Sequence, residues 1–143
     1  MATLTGASCI LTISVPGLFN SPVTLQGFAA DDVFSTDDQE VAETSMGVDG
    51  ILSGGFVHVP IKQTIALQAD SASNAIFETW AAQQKAALDT YTANGTANIV
   101  STGRSYVMTK GFLSTIKTVP DVKKLLQPRR FVITWQSIRS VPN

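Results

Sequence analysis

The sequence contains one histidine and one cysteine, the two side chains that most often serve as bases, nucleophiles or metal ligands. His58 lies in the strand-like segment FVHVP, with no cysteine or acidic residue at metal-ligand spacing. Cys9 alternates with apolar residues of a predicted strand, which is typical of a small core residue. A hydrolase would need partners for one of these side chains, and the sequence offers none. We therefore predict no catalytic residues, no metal site and no cofactor.

A short acidic segment is the second candidate for a functional site. It contains six acidic residues and no basic residue: Asp31, Asp32, Asp37, Asp38, Glu40 and Glu43. The segment lacks the ordered ligand spacing and the final glutamate of a calcium-binding loop. A solvated acidic face is therefore the favoured interpretation, with cation binding as the alternative.

A glycine-rich stretch follows at residues 46–55, where four of the ten residues are glycine. No Lys-Ser or Lys-Thr pair follows it, and the next predicted element is a strand rather than a helix. A phosphate-binding loop is therefore excluded. We interpret the stretch as a loop that is longer than a hairpin turn requires.

The composition favours a protein that buries surface in an assembly. Hydrophobic residues make up 44% of the chain and charged residues only 15%, against about a quarter in an average domain. Residues 1–100 carry ten acidic and two basic residues, whereas residues 101–143 carry one acidic and eight basic residues. Such polarity serves either self-association between complementary surfaces or neutralisation within one sheet. A soluble monomer with a Ser/Thr-rich surface is the alternative.

The same numbers limit other classes. An overall acidic chain is a poor candidate for a sequence-reading DNA-binding protein. No apolar run approaches the ~20 residues of a membrane span, and the first residues do not resemble a signal peptide. With a single cysteine, the expected folding environment is the reducing cytoplasm. The length fits one domain, residues 1–143.

The hydrophobic periodicity predicts a mainly β (α+β) sandwich or small barrel of six or seven strands with one flanking helix. The helix is expected at about residues 72–88, anchored by Ile76, Phe77 and Trp80, with Leu88 on the same apolar stripe. Strands are predicted near residues 7–15, 23–36, 41–47, 56–68, 97–102, 106–118 and 129–138. Residues 23–47 read as one acidic hairpin that turns at Asp37-Asp38, and Asn94-Gly95 reads as a second turn. Gly111 is expected to mark a bulge.

The order of elements and three sequence segments resemble the tail tube proteins of contractile-tailed (myovirus-type) bacteriophages. The segments are residues 43–50 (ETSMGVDG), residues 65–74 (IALQADSASN) and residues 130–135 (RFVITW). The resemblance extends over the whole chain and is most motif-like within residues 43–77. It implies a structural protein of the virion tail, assembled in the host cytoplasm, in which hexameric rings with an inner β-barrel stack into a channel.

The resemblance also implies partners: further copies of the chain, a sheath protein, a tape-measure protein, a baseplate or tail initiator, and double-stranded DNA that passes through the lumen. If Phe34 and Met46 point into the core, alternation places Asp31, Ser35, Glu43 and Ser45 on the channel wall. Asp37 and Asp38 are expected to line the channel or to meet basic residues of an adjacent ring.

The glycine-rich loop is the expected contact between rings, through Gly47, Asp49, Gly50, Gly54 and Gly55. Two alternatives remain open at this point. One is a tube subunit of a related injection machine, such as a secretion system or bacteriocin. The other is a monomeric ligand-binding β-sandwich, for which two Trp and two Tyr provide few aromatic residues.

Overall fold

The computed structural model describes residues 9–25, 34–38, 40–99 and 102–142. Its strands are β1 (Cys9–Val15), β2 (Phe19–Thr24), β3 (Phe34–Thr36), β4 (Ala42–Met46), β5 (Leu52–Phe56), β6 (Ile61–Leu67), β7 (Ala93–Ile99), β8 (Arg104–Ile116) and β9 (Arg129–Pro142). The helix of this described part is α1 (Asn74–Ala87). The predicted mainly β class with one flanking helix is confirmed.

Seven strands form one sheet in the order β2-β1-β7-β8-β9-β6-β3, and every neighbouring pair is antiparallel. The strands β4 and β5 pair with each other in a separate two-stranded ribbon. Core residues of β1, β6, β8 and β9 belong to one hydrophobic cluster, although β1 and β6 stand four places apart in the sheet. The sheet therefore curls around its core.

Alternating burial in β1 and β9 confirms the predicted strand faces. Leu11, Ile13 and Val15 are buried in β1, while the residues between them are partly exposed. In β9, the residues Phe131, Ile133 and Trp135 are completely buried, as predicted for the inner face of the last strand.

The helix covers the sheet through the predicted aromatic residues. Phe77 and Trp80 are fully buried, and Ile76 packs against the core while partly buried. The Phe77 ring stacks on Phe131 of β9 with 4.3 Å between ring centroids. The prediction for Leu88 is wrong, because the residue is 90% exposed. Leu88 lies at the helix end with φ of 53°, so its side chain leaves the apolar stripe.

The Asn94-Gly95 pair is not a turn, since both residues lie inside β7. A Cβ atom on Gly95 would lie 3.1 Å from Met108 Cε and 3.1 Å from Trp135, so this glycine permits close packing of neighbouring side chains. In β8, Met108 and Gly111 pair with Gly95 and Ala93, which leaves one extra residue in β8. The bulge predicted at Gly111 is thereby confirmed, with Lys110 at φ of 50° beside it.

The predicted acidic hairpin is also wrong in its pairing. The strand β3 pairs with β6, where Phe34 stands opposite the buried Ile65, instead of pairing with β4. This placement brings Phe34 against the core. The second arm, β4, pairs with β5, which includes Gly54 and Gly55. The expected glycine-rich loop is therefore partly a strand, and the turn itself occupies residues 47–51, with Gly50 at φ of +85°.

Candidate assembly surfaces

The ribbon β4–β5 is exposed on both of its faces. All ten residues of the two strands are exposed, and the ribbon and its flanks present large apolar side chains to solvent: Val41, Met46, Val48, Ile51, Leu52 and Phe56. An isolated two-stranded ribbon is at best marginally stable in water. Exposed apolar side chains on such an element indicate a surface that another chain covers.

The candidate channel residues have different surroundings. Ser35 is exposed on β3, on the face opposite Phe34, as alternation requires. Glu43 and Ser45 are exposed on the ribbon, opposite Gly55 and Ser53. The assumption that Met46 points into the core is wrong, because this side chain is 64% exposed. Asp31 lies outside the described residues.

The ring-contact candidates all lie on the ribbon or in its turn. The backbone N–H of Gly47 donates to the carbonyl of Ile51 at 2.8 Å, and the Asp49 carboxylate accepts from the Ile51 N–H at 3.1 Å. Asp49 thus closes the turn. Gly54 and Gly55 have room for a methyl group, since the nearest atom to a Cβ on Gly54 is 3.6 Å away and none lies within 4 Å for Gly55.

A second exposed apolar surface, the basic loop (residues 117–128), connects β8 to β9. Its large apolar residues Val119, Val122, Leu125 and Leu126 are 55–77% exposed, and Lys123 and Lys124 lie among them. The loop is folded on itself. Lys117 pairs with Asp121 at 3.1 Å, the N–H of Gln127 donates to Asp121 O at 2.9 Å, and Val122 bridges to Leu126. The sequence analysis indicated only the excess of basic residues within 101–143, although the segment VKKLL places apolar residues beside two lysines.

An open groove of 380 Å³ lies on the concave side of the sheet. Its walls are mostly apolar and include Phe34, Ile61, Tyr106, Met108 and Ile138, and Asp37 stands at its edge. Ser140 also lines the groove and accepts a 3.4 Å hydrogen bond from the Arg104 guanidinium. The lining residues come from five strands that are distant in sequence, so no local sequence pattern indicates this groove.

A buried arginine of the sheet forms an ion pair with the helix. Arg129 of β9 is 4% exposed and donates to Glu78 of α1 at 2.6 Å. Its Nε also donates to the carbonyl of Lys117 at 3.0 Å, and its guanidinium lies 5.2 Å from the centre of the Phe131 ring. Because Glu78 is half exposed, solvent screens part of this pairing. The arrangement is that of a structural contact at the base of the basic loop.

The histidine and cysteine have structural surroundings. The His58 ring packs edge-on against Phe56 at 4.7 Å between centroids. Burial raises the pKa of the Cys9 thiol, which disfavours the nucleophilic thiolate. Within the described residues, no group of three His, Cys, Asp or Glu side chains is placed to hold a metal ion. No helix in that part of the chain is long and apolar enough to cross a membrane.

A match to a family sequence model shows which family this chain belongs to. The sequence model of the family described as "Tail fiber protein gp32" matches residues 2–139. The chain belongs to this family. None of the curated proteins matches the chain in sequence. The gp32 family match and the fold make this chain a structural tail protein rather than an enzyme.

Solved structures share the fold of this gp32 family member over nearly its whole length. A chain of the anti-feeding prophage cap (AFP tube terminating cap) superimposes with a TM-score of 0.62 at 11% identity, covering 100% of this chain and 93% of that chain. A chain of an extracellular contractile injection system, the PVC sheath-tube complex in its extended state, gives 0.59 at 10% identity, covering 93% and 88%. A chain of the anti-feeding prophage baseplate gives 0.57 at 10% identity, covering 99% and 98%. The fold is that of tube proteins.

Proposed function

We propose that this chain is the tube subunit of a contractile phage tail. In this proposal, hexameric rings stack into a hollow channel that holds a tape-measure protein and then conducts double-stranded DNA into the host cell. The observation that carries the proposal is the exposed ribbon β4–β5 on a tube-protein fold, because the isolated subunit leaves this ribbon uncovered on both faces.

Assembly would also cover the edges of the sheet. Within the described residues, the strands β2 and β3 are the outermost strands of the seven-stranded sheet. Exposed edges invite pairing with other chains, and closure between subunits removes them. Closing the sheets of six subunits around an axis would produce the inner β-barrel of the proposed ring.

The second candidate is a tube subunit of a related contractile injection machine. It is favoured by the likeness to the AFP and PVC chains, which come from a tube-terminating cap, a baseplate and a sheath-tube complex. The fold is common to both candidates. Membership of the family described as "Tail fiber protein gp32" favours the first candidate. A sheath outside the tube and a baseplate or tail initiator at its end belong to either proposal.

The channel wall is proposed to be acidic and hydroxyl-rich. Double-stranded DNA carries about one negative charge per 1.7 Å of helix axis, so a basic lumen would retain it. Glu43, Ser35 and Ser45 are exposed, which a lumen position requires. Replacing Asp31 and Glu43 with lysine should leave tubes intact while slowing DNA ejection, most strongly at low salt, where charges are least screened. Mutant particles that eject DNA at the wild-type rate would contradict this wall assignment but not the tube itself.

Electron microscopy of the purified protein tests the proposal. Concentrated protein is expected to form six-membered rings or open-ended tubes without a cofactor, and addition of the tail initiator should increase their number. Expression together with the sheath protein should decorate the tubes. Featureless monomers under all of these conditions would contradict the proposal and favour a monomeric β-sandwich.

A further inference from the structure

The groove and the basic loop have complementary chemistry. The groove has mostly apolar walls with Asp37 at its edge, and Asp38 follows in the chain. The basic loop presents Leu125, 77% exposed, and Leu126, 55% exposed, directly after Lys123 and Lys124. Within the described residues, no ion pair involves any of these two lysines and two aspartates. Apolar side chains and opposite charges are thus available on both surfaces.

The acidic edge of the groove and the basic loop are separated along the strands. The N–H of Asp37 donates to the carbonyl of Lys62, and Lys62 pairs with Thr134, five residues along β9 from Arg129, where the basic loop ends. At about 3.3 Å per residue, these five residues span roughly 16 Å. The loop is held compact by the Lys117–Asp121 ion pair and its own backbone bonds. Its residues do not line the groove of their own chain.

Two different, complementary surfaces on one molecule define a head-to-tail contact. Such heterologous contacts close into a ring when the rotation permits and otherwise continue as an open stack. We propose that the groove of each copy receives the basic loop of a second copy, with Leu125 and Leu126 against the apolar walls and Lys123 and Lys124 facing Asp37 and Asp38. This inference rests on the proposed function and identifies one contact between its subunits.

A basic residue also lies beside the groove, since the Arg104 guanidinium donates a hydrogen bond to the lining residue Ser140. The lysines of the incoming loop are therefore directed toward Asp37 and away from Arg104. This polarity fixes one orientation of the loop in the groove, because the reverse orientation would place like charges together.

Charge reversal tests the electrostatic part of the contact. Lys123→Glu with Lys124→Glu should raise the protein concentration needed for half-maximal assembly by roughly tenfold or more at low salt, with a smaller effect at high salt. Adding Asp37→Lys and Asp38→Lys to the same chain should restore most of the assembly. The matched control reverses two lysines outside both surfaces, Lys85→Glu with Lys110→Glu, and should assemble like the wild type.

Cross-linking tests proximity directly. In a Cys9→Ser background, copies with Asp37→Cys are mixed with copies carrying Lys124→Cys and treated with a short bismaleimide. We expect dimers that contain one copy of each kind, and none when Lys85→Cys replaces Lys124→Cys. Circular dichroism and the melting temperature verify that each variant is folded.

The outcomes separate this inference from the proposed function. Rings or tubes of wild-type protein without the specific cross-link, or with charge reversals that change nothing, would overturn the inference and leave the tube proposal standing. Cross-linked pairs without rings or tubes would support the contact and count against the tube. Absence of both cross-links and assemblies would overturn both.

Discussion

Replacing Gly111 with alanine introduces a methyl group where the Trp135 ring already packs. The new Cβ would lie 2.5 Å from both Cε3 and Cζ3 of Trp135 and 2.9 Å from Cγ2 of Ile133. Both neighbours are completely buried. The Trp135 ring is also held by its Nε1, which donates to the buried Gln63 side chain at 3.0 Å. Relief of the clash therefore requires movement of β8 or loss of this hydrogen bond.

The expected loss of stability follows from these contacts. Overpacking costs about 1–3 kcal/mol, and an unsatisfied buried polar group costs about 1–3 kcal/mol more. Loss of glycine flexibility in the unfolded chain offsets about 0.4–1 kcal/mol. We expect Gly111→Ala to lower the free energy of unfolding by about 2–4 kcal/mol. Urea denaturation followed by tryptophan fluorescence measures this change, at a concentration where the protein is monomeric.

Two variants make this measurement specific. Gly55→Ala is the matched control, since no atom lies within 4 Å of its Cβ, and it should change the unfolding free energy by less than about 0.5 kcal/mol. Combining Gly111→Ala with Trp135→Leu should cost less than the sum of the two single changes, because the smaller side chain removes the clash. An unchanged unfolding free energy for Gly111→Ala, or strict additivity in the double variant, would refute the packing argument.

Three further predictions concern the helix and the ribbon. Trp80→Ala should lower the unfolding free energy by about 3–5 kcal/mol, since the ring is fully buried and also donates to a backbone carbonyl at 3.1 Å. An unchanged melting temperature would mean that the helix packs differently. Glu78→Ala should lower the free energy of unfolding by about 1–2 kcal/mol, because it removes an acceptor of the buried Arg129, whereas Glu78→Gln should lower it less. Equal denaturation midpoints for the wild type and both variants would contradict this role of Glu78. Gly54→Ala with Gly55→Ala should preserve the melting temperature, because both positions have room for a methyl group. The double variant should nevertheless reduce tube growth, measured by electron microscopy, because both positions lie on the exposed ribbon. Tubes of normal growth rate and length would show that the ribbon is only a connector.

The sequence predicts the elements whose structure depends mainly on residues close to one another along the chain. Alternating burial in β1 and β9 follows from one face packing on the core, and this alternation is visible as a period of two. The helix was predictable from the spacing of Phe77 and Trp80 for the same reason. Leu88 was misassigned because a left-handed residue ends the helix there, and periodicity alone does not show where a helix ends.

Pairing between distant segments was not predictable from local signals. Asn-Gly commonly marks a turn, yet Gly95 lies within a strand and allows the close approach of Ile13, Met108 and Trp135, which come from three other strands. Likewise, β3 pairs with β6 across a long separation in sequence, although the nearer β4 appeared to be its partner.

The candidate surfaces were predictable only in part. The glycine density and acidic charge indicate the segment that contains the ribbon. The separation of the ribbon from the main sheet depends on which strands pair, and the sequence pattern does not show this pairing. The sequence shows the excess of basic residues within 101–143 but not the exposure of Leu125 and Leu126. The groove combines side chains of five strands, and such a surface exists only once the sheet has curled.

Sedimentation velocity over a wide concentration range tests self-assembly into a ring most directly. We expect the monomer to convert into a species of six chains and then into larger stacks as concentration rises, and we expect addition of a tail initiator to shift this conversion to lower concentration. A single monomeric species at every concentration, with the initiator present, would contradict it.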